Sequence, residues 1–316
     1  MINQYSKHPT NRIPAAVLMC ALVVLSSTFF PSLGQAEETF HLSMGYTGSA
    51  YQETTSNDIK AAVSVLIRKI AWKHFGKSEA RYYDNTSEMA ADLKSGKVQV
   101  LCGPPEEFLE LRNRAPVDPI LITSSSSGHE TELLLLVRKD SGIRSLLALK
   151  NKSIVMPHRN PINSMFHVWI ETLLMRNGSG SIATFFSSVK EARTASRGIM
   201  PVFFRQADAC VVTRHIFNLT SEMNPQIGRE LVPIARMSKL SQGIISIDRR
   251  LPEEIKGKIR QAFLTLPESP DGKQLLMLFQ VSRMVPFRPE YLDATEALFA
   301  EHQLLKTRVT RRQRMQ

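Results

Sequence analysis

The sequence is poor in cysteine and lacks the short motifs that identify common enzyme classes. Its 316 residues include three cysteines, which are too few for disulfides to cross-link a chain of this length. A disulfide-dense small protein is therefore excluded. No GxxxxGKS/T, GxGxxG, GxSxG or HExxH pattern occurs. The usual nucleotide-binding, hydrolase and zinc-site signatures are therefore absent.

Acidic residues are outnumbered by basic ones. Lys and Arg total 40 against 29 Asp and Glu, which gives a formal net charge of +11. Such an excess suits a nucleic acid, a membrane surface or an anionic ligand. The basic residues are spread along the chain with no dense basic helix, so we expect no nucleic-acid binding. The one biased stretch, Lys306–Arg314, has five basic residues and no acid, and it predicts a solvated, frayed tail.

The N-terminus has the layout of a secretory signal. Residues 1–12 carry Lys7 and Arg12 but no acid, residues 13–30 are apolar or small, and Gly34–Ala36 supplies small residues for cleavage. We expect cleavage after about Ala36 and export to the periplasm. An uncleaved membrane anchor is the alternative, because an apolar run of about 18 residues borders the length of a spanning helix.

Beyond this segment, short strand-like runs alternate with helical patterns. Ser56 to about Phe75 places apolar residues on one helical stripe. VQVLC (98–102) and ATFFS (183–187) are typical of strands, and the chain from Pro252 to its end has a helical pattern. Strands alternating with helices of about 10–15 residues predict mostly parallel sheets that are covered on both faces.

The predicted fold class is α/β with two lobes, each a mostly parallel sheet flanked by helices, and a ligand cleft between the lobes. At about 150 residues per domain, the length suits two such units. The predicted divisions are residues 1–36 as signal peptide, 37–135 as the first part of lobe 1, 136–235 as lobe 2, 236–305 as a return to lobe 1 with C-terminal helices, and 306–316 as the basic tail.

The loop from His158 to Ser164 is the strongest candidate for a ligand site. It follows a strand and opens a helix, so the N–H groups of the first helical turn point at whatever binds there. The candidate contacts are His158, Asn160, Asn163 and Ser164. Asn163 and Ser164 also suit simple capping of that helix.

Two further loops have the residue types of an anion site. Gly103-Pro104 makes the same strand-to-helix transition in the first lobe. Ser124 and Ser125 begin a serine-rich loop that supplies hydroxyl and N–H groups for an oxyanion; a plain connector is the alternative reading.

Three isolated residues complete the candidate site. Asp208 begins a strand, where it either accepts a hydrogen bond from a ligand amine or caps the strand. Tyr46 and Tyr51 flank a Gly-Ser turn after the first strand, where aromatic rings either line a cleft or pack the loop.

Catalysis and metal binding have little support in the sequence. The eight histidines are scattered, with no ligand spacing. Ser124–Ser127 lies close to His129 and Glu130, but adjacency in sequence is not triad geometry. We therefore expect no enzyme activity, no cofactor and no metal. Cys102 and Cys210 lie in apolar runs, which favours two small buried side chains over a disulfide.

Three stretches in a fixed order resemble a known family. They are VQVLCGPPEEF, TELLLLVRKDSGIRSLLALKNKSIVMPHRNPINS and ATFFSSVKEARTASRGIMPVFFRQADACVV. Together they resemble the phosphate/phosphonate-type substrate-binding proteins of ABC transporters, over residues 40 to 300. The stretch that corresponds to the family's oxyanion-binding loop is Pro157–Ser164.

The resemblance implies a type 2 periplasmic binding fold and a function of binding rather than turnover. A small anionic or polar solute, with a phosphonate- or phosphate-like oxyanion favoured, is captured between the lobes by hinge closure. The expected hinges are the crossovers near 128–138 and 236–243. A monomer would then deliver the solute to an ABC permease. The alternative is a ligand sensor that signals to a membrane-bound kinase or cyclase.

Overall fold

A computed structural model of the chain describes residues 40–47, 56–76, 78–126, 128–157, 164–192 and 194–315. The predicted signal segment, 1–36, lies outside these residues. The strands are β1 Leu42–Thr47, β2 Ser78–Tyr83, β3 Val100–Gly103, β4 Val117–Ser124, β5 Glu130–Arg138, β6 Ser153–Pro157, β7 Ser188–Ala192, β8 Ala209–Thr213, β9 Leu231–Ser241, β10 Ile244–Asp248 and β11 Arg283–Pro286. The helices are α1 Ser56–Phe75, α2 Thr86–Lys94, α3 Pro105–Leu111, α4 Ser164–Arg176, α5 Ile182–Phe185, α6 Ala195–Phe203, α7 Arg214–Met223, α8 Pro225–Glu230, α9 Glu253–Leu264, α10 Pro270–Leu278 and α11 Asp293–Met315. Within the described ranges, every helix is too short or too polar to span a membrane.

Two sheets form the two lobes. The six strands of lobe 1 lie in the order β11-β4-β10-β3-β1-β2, and the five strands of lobe 2 in the order β7-β6-β8-β5-β9. Apolar clusters cover both faces of each sheet. The predicted two-lobed α/β class is confirmed.

One reversed strand lies inside each sheet. β10 is antiparallel to both β3 and β4, which therefore run in the same direction as each other. In lobe 2, β5 is antiparallel to both β8 and β9 in the same way. Most strands of each sheet run one way, as predicted, but the inserted strands make the hydrogen-bonded pairs a mixture of parallel and antiparallel.

Helix α1 shows how the hydrophobic pattern sets the local structure. Val63, Ile67, Ala71 and Phe75 recur at intervals of four residues, and all four are buried. Because that spacing places them on one face, the helix covers the sheet of lobe 1 with a single apolar stripe. The predicted span of this helix, from Ser56 to about Phe75, is confirmed.

The prediction of a strand at 183–187 is wrong. Residues Ile182–Phe185 form the short helix α5, and the strand follows as β7 at Ser188–Ala192. Ile182 and Phe185 lie on one side of that turn and are buried in the core of lobe 2. β7 is an edge strand with four exposed residues, so it carries no apolar run that identifies it in the sequence.

The C-terminal region also differs from its prediction. β11 interrupts the predicted helical region and pairs with β4 in lobe 1. The predicted frayed tail is instead the last part of α11, which continues to Met315. Glu301 and His302 of α11 bond to Arg176 and Glu171 of α4, at 2.5 Å and 2.9 Å. The first turn of the helix still bonds to lobe 1, where Glu296 accepts from Arg112 at the end of α3, and the part that follows packs on lobe 2.

The predicted divisions at 135/136 and 235/236 fall inside β5 and β9. Both strands are paired with each other in the sheet of lobe 2 over nearly their whole length. The passages between lobes are consequently short: residues 125–129, residues 242 and 243, and residues 287–292.

We expect Leu298→Ala to lower the free energy of unfolding by about 2–4 kcal/mol, because Leu298 is buried against the core of lobe 2. Leu304→Ala on the same helix is the matched control, since Leu304 is 53% exposed. Urea unfolding of both variants measures the difference. Equal, small losses would contradict the packing of α11 on lobe 2.

Candidate functional site

A cavity of about 170 Å³ lies between the two sheets. Lobe 1 contributes the carboxyl end of β3 and the amino end of β10 to its lining. Lobe 2 contributes the first turns of α4 and α7, together with the adjoining ends of β5 and β9. The carboxyl ends of parallel strands and the starts of helices thus meet at one place, which is where ligands bind in α/β sheets.

The turn Gly103-Pro104 forms part of the lobe 1 wall, as the sequence predicted for a strand-to-helix transition. Behind it, the Thr47 hydroxyl donates to the buried Glu107 carboxylate, 2.9 Å from each oxygen. A methyl group at position 103 would lie 2.5 Å from Glu107 Oε2. Glycine therefore lets β1, β3 and α3 come together at this wall.

Glu106, beside that turn, also lines the cavity. Its Oε2 atom is enclosed, and no donor among the described residues reaches it. Burial raises the pKa of Glu106 from 4.5 to about 7, because the charged form loses hydration and a hydrogen bond from its own backbone N–H compensates only in part. A carboxyl group that changes charge near neutral pH therefore faces the cavity.

The lobe 2 wall is built from two helix starts. Thr213 caps α7 by accepting a hydrogen bond from the Ile216 N–H at 3.4 Å, and both Thr213 and His215 line the cavity. α4 begins at Ser164, and the next two residues, Met165 and Phe166, line the same wall. The first-turn N–H groups of α4 and α7 therefore lie at the cavity.

The passages between lobes run beside this site. Gln242 Nε2 lies 3.5 Å from the Ser125 hydroxyl oxygen, which joins the first passage to the second. Ser241 donates to the Tyr291 carbonyl at 2.8 Å, and the His129 and Tyr291 rings are 4.6 Å apart, which adds the third. All three passages are in contact at one edge of the cavity.

The other predicted contacts are placed differently. Ser124 and Ser125 are buried at the first passage, where the Ser125 hydroxyl donates to the Gly128 carbonyl at 3.1 Å. Tyr46 is buried on β1 and packs edge-on against Tyr82, 5.7 Å away. Neither the two serines nor Tyr46 belongs to the cavity lining.

Asp208 lies at the opposite end of the lobe 2 sheet. Its carboxylate accepts hydrogen bonds from the Ser153 N–H and hydroxyl, at 2.8 Å and 2.7 Å, and so links the amino ends of β6 and β8. The strand-capping reading is the one that fits this position. The predicted contacts Tyr51, His158, Asn160 and Asn163 lie outside the described residues.

Both described cysteines are free and buried, Cys102 in lobe 1 and Cys210 in lobe 2. Burial raises the pKa of the Cys102 thiol to about 12 and also raises that of Cys210. They behave as small hydrophobic side chains, as predicted. In the described part of the chain, no cluster of three His, Cys, Asp or Glu residues is placed to hold a metal.

Glu106, Thr213, His215 and Gln242 also line the cavity and are not among the residues predicted from the sequence. Thr213 had a usable signal, because a threonine that closes an apolar strand before a helix suits an N-cap. Gln242 and Glu106 have no local sequence pattern that indicates a place in the site. Their position depends on long-range strand pairing and on which of two adjacent glutamates finds a partner.

We expect Glu106→Gln to remove one component of the pH dependence of stability. The folded state holds the Glu106 proton more tightly than the unfolded chain, so this group's stabilising effect is fully present below about pH 4.5 and is lost as the pH rises through about 7. Above pH 7, the variant should therefore exceed wild type by up to about 3 kcal/mol in free energy of unfolding. Denaturant titrations from pH 4 to 9 measure it.

Glu290→Gln, at a side chain that is 57% exposed, is the control and should follow wild type at every pH. A Glu106→Gln curve that stays parallel to wild type across this range would show that Glu106 is not the group responsible.

Comparison with known proteins agrees with this architecture. Residues 53–292 match the family described as "ABC transporter, phosphonate, periplasmic substrate-binding protein". No curated protein matches the sequence. A Xanthomonas citri protein bound to chloride ion is 16% identical, with a TM-score of 0.62, over 85% of this chain and 99% of that chain.

Two further solved structures share the fold. A binding protein component of an ABC phosphonate transporter from Pseudomonas aeruginosa is 16% identical, with a TM-score of 0.58, over 86% of this chain and 99% of that chain. PhnD1 from Prochlorococcus marinus, in complex with methylphosphonate, is 15% identical, with a TM-score of 0.60, over 82% of this chain and 97% of that chain. The two lobes form a type 2 periplasmic binding fold, and the chain belongs to the family of phosphonate-type periplasmic substrate-binding proteins of ABC transporters.

Proposed function

We propose that the protein binds a phosphonate- or phosphate-like oxyanion in the cavity between its lobes and delivers it to an ABC importer. The observation that carries this proposal is the meeting of two helix starts, those of α4 and α7, at one cavity wall. Members of this family capture solutes for ABC permeases.

Backbone groups supply the positive potential in this proposal. Among the described residues, the cavity lining contains no Lys or Arg. Helices α4 and α7, of 13 and 10 residues, direct their first-turn N–H groups and the positive ends of their dipoles there, although Thr213 already accepts from the Ile216 N–H of α7. His158, Asn160, Asn163 and Ser164 remain our proposed contacts, because this segment leads directly into the first turn of α4.

Hinge closure accounts for capture. Ligand groups that contact both walls bind the closed state more tightly and so shift the population toward it. The three passages between the lobes lie together at one cavity edge, which allows the lobes to rotate with few changes elsewhere. The first two passages, 125–129 and 242–243, overlap the predicted hinge regions, whereas 287–292 was not predicted.

The remaining proposals concern maturation and partners. We propose removal of residues 1–36, with an uncleaved anchor as the alternative, and action as a monomer without catalysis. The large exposed apolar side chains of the described residues are spread over several elements, with at most two on any one helix, which supports a monomer. A sensor role would use the same closure to report the ligand to a membrane kinase or cyclase.

A ligand screen with protein purified from the periplasm tests the oxyanion proposal. Phosphate, phosphonates, sulfate, sulfonates and small amines are compared by thermal shift, since a ligand at 100 times its Kd adds about 2.7 kcal/mol. We expect phosphonate or phosphate to raise the Tm most. A response to amines alone would contradict the proposal. Loss of ligand uptake in a deletion strain confirms transport, and intact uptake with a lost signalling response indicates the sensor.

We expect Ser164→Ala and Asn163→Ala each to weaken oxyanion binding about tenfold, because each removes a polar group at the start of α4. Asn224→Ala is the control, since its side chain caps α8 by accepting from the Gln226 N–H, and it does not line the cavity. Isothermal titration measures the three affinities. Unchanged affinity in the first two variants would remove these residues from the site.

A further inference from the structure

The cavity between the lobes continues into the interior of lobe 1. Its polar mouth is formed by Thr213, Ser241 and Gln242. From there it runs between the sheet and the helices α9 and α10. The walls of this inner part, here called the apolar chamber, are Cys102, Ile245, Phe263, Leu266, Leu275 and Val281.

The side chains that line the apolar chamber offer a ligand dispersion contacts and the burial of its apolar surface away from water. Leu266 and Leu275 are buried, at 4% and 6% exposure. The Cys102 thiol approaches the Met44 sulfur, 3.6 Å away, and so points into the apolar core. A small hydrophilic anion would gain nothing by entering this space.

A second cavity of about 50 Å³ adjoins the first under the same helices. The two cavities share the walls Met44, Phe263, Leu266 and Leu275. The side chains between the lobe 1 sheet and helices α9 and α10 therefore leave two adjoining cavities. Well-packed interiors leave few voids larger than a water molecule, so this departure calls for a function.

The size of the space sets the size of its occupant. A cavity of roughly 150 Å³ with Leu, Ile and Phe walls stays dry and takes up benzene. The 170 Å³ cavity includes the mouth where the oxyanion head sits, and the adjoining 50 Å³ cavity restores roughly the volume that such a head takes up. The apolar space that remains is therefore comparable to that benzene-sized cavity and suits a hydrocarbon group of about six carbons. A methyl substituent alone would leave most of it unused.

We propose that the natural ligand is amphiphilic: an oxyanion head at the polar mouth carries a hydrocarbon group of about six carbons that occupies the apolar chamber. This inference rests on the proposed function for the head group and adds the chemical class of its substituent. Burial of each methylene in the chamber strengthens binding because it removes apolar surface from water.

A homologous series of n-alkylphosphonates from methyl to octyl, titrated calorimetrically into the purified protein, tests this inference. We expect the affinity to rise about fourfold for each added methylene up to about six carbons and then to level off. 1-Hexanol, which has the chain without the head, is titrated in parallel and should bind weakly.

Val281→Trp fills the chamber from the end of α10 and should lower the affinity for hexylphosphonate at least tenfold. Met277→Trp introduces the same side chain on the outer face of α10, where Met277 is 75% exposed, and should leave the whole series unchanged. Met284→Phe, at another lining position, replaces Val281→Trp if that variant does not fold.

Each outcome separates the inference from the proposed function. Binding of methylphosphonate with no gain along the series overturns the chamber inference and leaves the oxyanion site standing. Binding of 1-hexanol with no binding of any phosphonate or phosphate overturns the oxyanion proposal and, with it, the amphiphilic ligand. An undiminished chain-length gain in both filled variants also overturns the chamber assignment.

Discussion

The arrangement of the molecule depends on one interior strand in each sheet that is antiparallel to both of its neighbours. β10 enters lobe 1 between β3 and β4, and β5 enters lobe 2 between β8 and β9. Because each reversed strand starts where its neighbours end, the chain must cross between lobes at the carboxyl edge of the other strands. The hinge and the ligand site are therefore made at the same edge by the same hydrogen-bonded ladders.

This constraint explains why the walls of the cavity differ in kind. Lobe 2 faces the cavity with helix starts and a polar rim, because α4 follows β6 and α7 follows β8 along the chain. Lobe 1 faces it with the turn after β3 and with the apolar underside of α9 and α10. Lobe 2 therefore contributes oriented N–H groups, and lobe 1 contributes an apolar space. A ligand that uses both must itself have a polar end and an apolar end.

Local patterns in the sequence predict the regular elements of the lobes well, and they predict chain reversals and partners poorly. The stripe of α1 and the Gly103-Pro104 turn follow from spacing and residue type alone. Asp208 was placed at the correct strand, but the end of a strand at which a ligand binds depends on the direction of the sheet. The strand β7 is exposed, and β11 is short, so neither has an apolar signature. Glu106 and Glu107 look equivalent in sequence, and only the tertiary position of Thr47 gives one of them a partner.

Helix α11 starts at the hinge, where Glu296 bonds to Arg112 of lobe 1, and its later turns pack on α4 of lobe 2. Its 23 residues extend about 35 Å from that starting point. A rotation of the lobes by about 10° displaces the far end of such a rod by about 6 Å, given this length. Lys306 and Arg308 lie exposed toward that end. Lobe closure as proposed above would therefore displace this positive charge further than it displaces the groups around the cavity.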